Sequence, residues 1–254
     1  MSCRIVEVTA ENLGEHPQVI CFINPGHELH HLKVDWLEQQ FRLGLKIKLL
    51  YLEGQKRPAG FIEYVPGEHC WRAVAARGYL FIQCLWTNGK SIQHQGLGAR
   101  LLEAAEEDAA GLAGVAALTS DASFMADRRL FLKQGYRVAA KEGKDQLLVK
   151  SFREEPLPSL NDWRGRLQSY RGLNIVYSRQ CPWVARFMEE VKPVLRELDL
   201  RFNVIELKSP AEAQQAPAPY GVFSLILDGR LLADRYISVT RFRNIMKKEL
   251  KSAG

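Results

Sequence analysis

Two glycines one residue apart, Gly96 and Gly98, head a long amphipathic run and follow Gln93, His94 and Gln95 in SIQHQGLGARLLEAAEED, Ser91–Asp108. A helix start leaves its first N–H groups unpaired and carries roughly half a positive charge, so anions collect there. Residues without a Cβ let the backbone curl around a phosphate and turn successive amides toward it. A tight strand-to-helix turn is the other use of two such glycines. The dinucleotide fingerprint fails, because the third position after Gly98 is Leu101, and the full phosphate-loop pattern is absent.

Other residues could move protons or attack. Glu63 in GFIEYV shares a strand face with Phe61 and Val65, where apolar surroundings would raise a carboxylate toward neutrality. An edge-strand or ion-paired glutamate is the alternative. Tyr136 and His69 are lesser choices for the same work, His69 in GEHCW reading as a loop residue. Cys181 stands immediately before Pro182 at a predicted helix start, an address that favours a thiolate.

The elements that position these residues follow from hydrophobic period. Strands are predicted at CRIVEV, KIKLLYLE, AGFIEYV and GYLFIQCLW, with an extra one at CWRAVAA. LKVDWLEQQFRLG makes a helix with Trp36, Leu37 and Phe41 in one stripe and Gly44 as its stop. In the glycine-headed helix Leu101, Leu102, Ala105 and Ala109 form one stripe, and Glu103, Glu106, Glu107 and Asp108 the other. GVAALTS is a short strand, after which Asp121 or Ser123 would cap a helix from about Met125 to Gln134, ended by Gly135. YRVAA and QLLVKSF complete a mixed α/β (α+β) domain.

REEPLPSLNDW, with Pro156 and Pro158 among charges, reads as a linker and divides the chain into 1–152 and 160–254. Beyond it the order is β-α-β-β-β-α: LNIVYS, VARFMEEVKPVLREL, RFNVIEL, a hairpin through Asp228-Gly229, and a basic closing helix near RFRNIMKKELK.

Composition sets the class. The chain has 254 residues, 46% of them apolar and 25% charged, which suits a compact soluble protein. The net charge of +6 is scattered except near the C-terminus, with no basic stripe interleaved with aromatics, so nucleic acid is not an expected partner. No apolar run approaches the ~18 residues of a membrane span and the start lacks a signal pattern, so the expectation is a cytoplasmic protein off the membrane. Five cysteines without a CxxC pair give neither a disulfide framework nor a metal knuckle. No metal is expected.

Gln93, Gly96 and Gly98 resemble the acetyl-CoA pyrophosphate loop of the GCN5-related N-acetyltransferases (GNAT), in which Arg or Gln is followed after two residues by Gly, one residue, and Gly or Ala. LFLKQGY, Leu130–Tyr136, is similar to that family's later helix-to-strand signature, and the similarity runs over about residues 1–152. The resemblance implies the GNAT acyltransferase fold, with acetyl-CoA as co-substrate and a primary amine of a small molecule or peptide as acceptor. It implies that Leu85, Trp86 and Thr87 offer backbone hydrogen bonds to pantetheine in a V-shaped opening beside GVAALTS. It places the pyrophosphate on amides from Gln95 through Gly96, Leu97 and Gly98 to Ala99, with Lys90 and Arg100 as partners for the remaining phosphate.

The chain departs from that family's pattern in its acid and base. Phe131 replaces the tyrosine that often serves as general acid, Phe124 stands where asparagine is frequent, and Tyr79 matches the place of a central-strand glutamate. The second half resembles the thioredoxin-like domain of YoaP-like proteins, with Cys181 as its reactive position and Pro219 as its cis-proline. Val184 takes the place of a second cysteine, so no internal dithiol cycle runs. Three functions remain open at this level: an N-acetyltransferase, a non-catalytic acyl-CoA or thiol-binding protein, and a monothiol redox module using Cys181. Neither acceptor nor oligomeric state is encoded in a recognisable motif.

Overall fold

A computed structural model describes residues 2–16, 25–87, 96–120, 125–198 and 201–252. They group into two compact units, one of residues 1–25, 37–70 and 74–160 and another of 26–36, 71–73 and 161–254. Two short pieces from the first third of the chain, 26–36 and 71–73, are thus grouped with its last third.

The first unit is built on a seven-stranded sheet. Its strands are β1 (Cys3–Val8), β2 (Lys46–Leu52), β3 (Gly60–Pro66), β5 (Leu80–Thr87), β6 (Gly114–Ser120), β7 (Arg137–Glu142) and β8 (Asp145–Ser151), in the order β1-β2-β3-β5-β6-β8-β7. Every neighbouring pair is antiparallel except β5 and β6. The parallel pair needs a crossover, supplied by helix α2 (Leu97–Asp108). Leu97, Leu101, Leu102 and Ala105 of α2 pack with Leu50, Ile62, Tyr64, Ile82, Val115 and Leu148, the residues of alternate strand positions that share one sheet face. The apolar stripe read from the sequence is therefore the buried one.

Several expectations need correction. The strand at CWRAVAA is reduced to β4 (Val74–Ala75), which pairs with β9 (Ser159–Leu160) inside the segment read as linker. Asp162 then caps α4 (Trp163–Leu167) by accepting the Gly165 N–H at 2.9 Å, so the proline-containing stretch gives way to structure before Trp163. The helix expected from Met125 is α3 (Arg128–Lys133), capped by Asp127 through the Arg129 N–H at 2.8 Å. Asp121 and Ser123, the expected caps, lie outside the described residues. Helix α1 (His30–Phe41) ends as expected, with Gly44 at a φ of +83°.

In the second unit a four-stranded sheet runs β11-β10-β12-β13, from β10 (Leu173–Tyr177), β11 (Phe202–Glu206), β12 (Phe223–Leu227) and β13 (Arg230–Ala233). β11 is parallel to β10, and β12 and β13 are antiparallel additions on the other side. Helices α5 (Pro182–Glu197) and α7 (Val239–Ser252) supply Phe187, Val191, Phe242 and Met246 to a core with Leu173, Ile175, Phe223 and Leu225. The predicted element order holds, with one short helix, α6 (Pro210–Gln214), added before β12. Asp228 and Gly229, at φ of +47° and +75°, make the expected hairpin turn.

Candidate active site

β5 and β6 are hydrogen-bonded neighbours over three pairs, Leu80–Val115, Phe81–Ala116 and Ile82–Ala117. Past Ile82 the ladder between them stops. β5 nevertheless stays paired with β3 as far as Thr87, and β6 with β8 as far as Ser120. Two strands that each hold to an outer neighbour while ceasing to bond to one another enclose a wedge edged by backbone donors and acceptors. An extended, amide-rich ligand arm can pair with such edges. Leu85, Trp86 and Thr87 form the β5 side: Leu85 is buried in the core and Trp86 is 37% exposed.

A bulge marks the place where the strands part. Glu63 faces Cys84 across the β3–β5 ladder and Tyr64 faces Ile82, so Gln83 is the extra residue. Bulges bend and twist a strand locally, which accounts for β5 leaving β6 at this point.

The wedge is followed in sequence by the glycine turn. Gly96 caps α2 in the left-handed region, φ +77°, with no side-chain hydrogen bond to the helix end. The first helix bond runs from the Arg100 N–H to the Gly96 carbonyl at 3.1 Å, so the N–H groups of Leu97, Gly98 and Ala99 precede it, and no acidic side chain lies in that first turn. The two glycines serve different purposes. A Cβ on Gly96 would meet nothing within 4 Å, and its φ is the constraint; a Cβ on Gly98 would come within 2.9 Å of Leu130 Cδ2, and packing against α3 is the constraint. The sequence leaves ligand approach and a tight turn open for both glycines; of the two, and among the described residues, only Gly96 borders open space.

Gln93, His94, Gln95 and Lys90 lie outside the described residues, as does Phe124. Arg100 reaches β1, where its Nη1 donates to Cys3 Sγ at 2.7 Å.

Of the proton-transfer residues, Glu63 is 3% exposed on β3. It shares a face with Phe61, opposite to the face of Ile62 and Tyr64 that α2 covers. Its cross-strand partner Cys84 lies two residues beyond the last β5–β6 pair. Tyr136 is placed elsewhere: it is a core residue, its ring 5.3 Å from that of Phe131 in an edge-on contact. Burial first, then the Glu106 carboxylate, pushes the Tyr136 hydroxyl well above the ordinary phenol range, so it keeps its proton at neutral pH. Phe131 is 1% exposed and Tyr79 precedes β5, also buried. His69 sits in a short 3-10 turn, Gly67–His69, after β3.

A polar cluster at the far end of α2 was missed. Asp108 accepts from Lys48 at 2.8 Å, from Lys46 at 3.0 Å and from the Tyr64 hydroxyl at 2.6 Å, and Lys48 also donates to the Ala104 carbonyl at 2.9 Å. Burial alone would raise the Asp108 carboxyl; hydrogen bonds from Lys48, Tyr64 and Lys46 outweigh it and leave the group at about 2. Lys46 and Lys48, two cations on one face of the otherwise apolar β2, were the sequence signal.

In the second unit Cys181 is the N-cap of α5, with Pro182 at the first helical position and no side-chain cap bond. Val184 is fully buried, in keeping with its place in the core rather than at a dithiol. The described cysteines Cys3, Cys70, Cys84 and Cys181 are not joined in disulfides. No peptide bond among the described residues is cis, so Pro219 is trans, a correction to the cis expectation. Arg72, which belongs to this unit and is 2% exposed, donates from Nη1 to Gln180 Oε1 at 2.5 Å and stacks 4.2 Å from the centre of the Tyr220 ring. Nothing in the sequence announces that pairing, since the partners are 108 positions apart.

Residues 18–136 match the profile of the acetyltransferase (GNAT) family and residues 201–244 that of the YoaP-like family. The chain is 24% identical over 251 residues to an uncharacterized N-acetyltransferase, YoaP, of Bacillus subtilis (strain 168), covering 95% of this chain and 97% of that one. Among solved structures it is similar to the PaiA N-acetyltransferase of Thermoplasma acidophilum in complex with coenzyme A, at 17% identity and a TM-score of 0.42 over 60% of this chain and all of that one. It is also similar to YncA of Salmonella typhimurium with its cofactor acetyl-CoA, at 17% identity and a TM-score of 0.43 over 63% of this chain and 99% of that one. A segment with the GNAT acetyltransferase family's profile, residues 18–136, is thus followed by one with the YoaP-like family's profile, residues 201–244.

Proposed function

We propose that the first unit transfers an acetyl group from acetyl-CoA to a primary amine of a small molecule or peptide by direct attack. The observation that carries this reading is the wedge between β5 and β6, which opens after three ladder pairs and is followed by the glycine-capped start of α2. The residues fit the co-substrate. Backbone groups of Leu85 to Thr87 would hold the pantetheine arm, and the amides of Leu97, Gly98 and Ala99 the pyrophosphate, where no acidic side chain opposes an anion.

In the reaction the amine nitrogen attacks the thioester carbonyl, a C–N bond forms, the C–S bond breaks, and coenzyme A leaves as its thiolate. The substrate ammonium must first lose a proton, and we assign its removal to Glu63. As the adduct collapses, the nitrogen gives up its second proton to solvent and the leaving thiolate takes one from solvent, since Phe131 offers none.

That same phenylalanine, fully buried, favours a second reading: an acyl-CoA binder without turnover. Calorimetric titration with acetyl-CoA followed by free-thiol release against a panel of amines separates the two. Turnover with at least one amine, lost in Glu63→Gln while binding persists, supports the transferase; binding without turnover across chemically diverse amines supports the binder. For the second unit we read a thioredoxin-like domain, on its β11-β10-β12-β13 order and on Cys181 at the start of α5. Its single cysteine suits thiol binding or a structural part better than a redox cycle.

A further inference from the structure

Each of the two larger sheets ends in two edge strands, and three of those four edges carry a feature that discourages pairing with another chain. β1 has Arg4 stacked 4.8 Å over Tyr51, and Glu7 paired with Lys46. β7 is interrupted by a register shift between Val138 and Ala140 and carries Arg137 and Lys141. β13 is four residues long, begins with Arg230, and meets a shift at Leu225/Ile226. β11 keeps its one charge at its end, Glu206, paired with Arg179. Its register with β10 is unbroken, and it is free of proline and of charge from Phe202 to Ile205.

The core also runs out at this edge. On the face covered by α5 and α7, the cross-strand rows are Leu227–Leu173–Phe202 and Leu225–Ile175–Val204. Leu173 and Ile175 are 3% and 0% exposed, whereas Phe202 and Val204 are 37% and 45% exposed. Ile205, on the other face, is 40% exposed. An apolar face cut off at a strand that still has an edge to offer resembles half of a larger core.

We infer that β11 joins the β11 of a second copy of this chain, antiparallel about a two-fold axis at Asn203, to make a continuous eight-stranded sheet. An axis normal to the sheet preserves its faces, so residues of equal parity meet. With the axis at Asn203, each Phe202 meets the partner's Val204 and the apolar row continues across the join. With the axis at Val204, Phe202 would instead meet Glu206, whose carboxylate is held by Arg179 at 2.7 Å and Tyr177 at 3.1 Å.

Sedimentation velocity on the full chain tests this, with a dimer expected. Val204→Lys, at an exposed position, should raise the dimer dissociation constant about tenfold or more without moving the melting temperature. Asn203→Cys should form an intermolecular disulfide under a mild oxidant, because directly opposed Cα atoms lie about 4.5–5.5 Å apart, within disulfide reach. Glu206→Cys, about 20 Å from its symmetry mate, should not cross-link above the wild-type background. A wild-type chain that is monomeric throughout the micromolar range, a Val204→Lys dimer of undiminished affinity, or equal cross-linking at both cysteines overturns the inference.

Discussion

The molecule begins two helices in opposite ways. α2 starts at a glycine in the left-handed region, followed by Leu97, Gly98 and Ala99, all with amides to offer. α5 starts at Cys181 in extended backbone, followed by Pro182, which has no amide, and by Val184, whose N–H already bonds the Cys181 carbonyl at 3.0 Å. The first start presents a ring of backbone donors to a diffuse anion; the second presents one sulfur. Helix starts therefore differ in kind according to their first three residues, and of these two the α2 start has more backbone amides to offer an anion.

The contrast continues at the tails. α2 ends in the partly buried Asp108 cluster, while α5 ends near an exposed pair, Arg243 Nη2 to Glu197 Oε2 at 2.6 Å. Ion pairs in water contribute little, because solvent screens them and long side chains must be held still.

The largest expected effect bears on whether chemistry belongs to the wedge beside α2. Glu63→Gln should lower kcat by about 10²- to 10⁴-fold, the ordinary span for loss of a general base, with acetyl-CoA affinity unchanged by calorimetry. An unchanged kcat would assign proton removal to another group. Next, Gly96→Val forces a β-branched residue to a φ of +77°, a strain of about 1–2 kcal/mol or more, and should weaken coenzyme A binding at least about tenfold. If affinity holds, the glycine start is only a turn.

The tail comparison gives a pH prediction. The Asp108 carboxyl titrates at about 2 in the fold against 3.8 for the ordinary group. A depressed carboxylate contributes stability above its unfolded value, and that contribution is lost as pH falls from about 4 toward 2, on the order of 2 kcal/mol in all. Asp108→Asn should flatten that acid limb of a denaturation series, whereas Arg243→Ala should leave it as it is. The smallest effect is at the other head: Cys181→Ser should leave both coenzyme A affinity and acetyl transfer within about twofold, since α5 lacks the open amides that a diphosphate needs. A larger loss would give Cys181 a part in the reaction.

What could be read from the residues was what depends on near neighbours. The α2 stripe, the stop at Gly135 and the Asp228-Gly229 hairpin follow from periods of a few residues and from backbone regions that only certain side chains tolerate. The glycine turn was legible, but not the separate reasons for Gly96 and Gly98, because Leu130 reaches Gly98 only once α3 has packed. Arg72 on Gln180, and Lys48 on Asp108, join residues distant along the chain, and no local pattern encodes them. Tyr136 shows the converse. Its place after Gly135 looked chemical, yet the fold encloses its ring against Phe131 and its hydroxyl near Glu106.

The cluster at Asp108 has a mechanical consequence for the opposite end of α2. Twelve residues span about 18 Å, and three donors from β2 and β3 clamp the rod at its base. A rod fixed at its base neither slides nor rolls as a body when something docks at its tip. Under the proposed reading, adjustment to an incoming anion then falls on the turn at Gly96 rather than on the helix as a body.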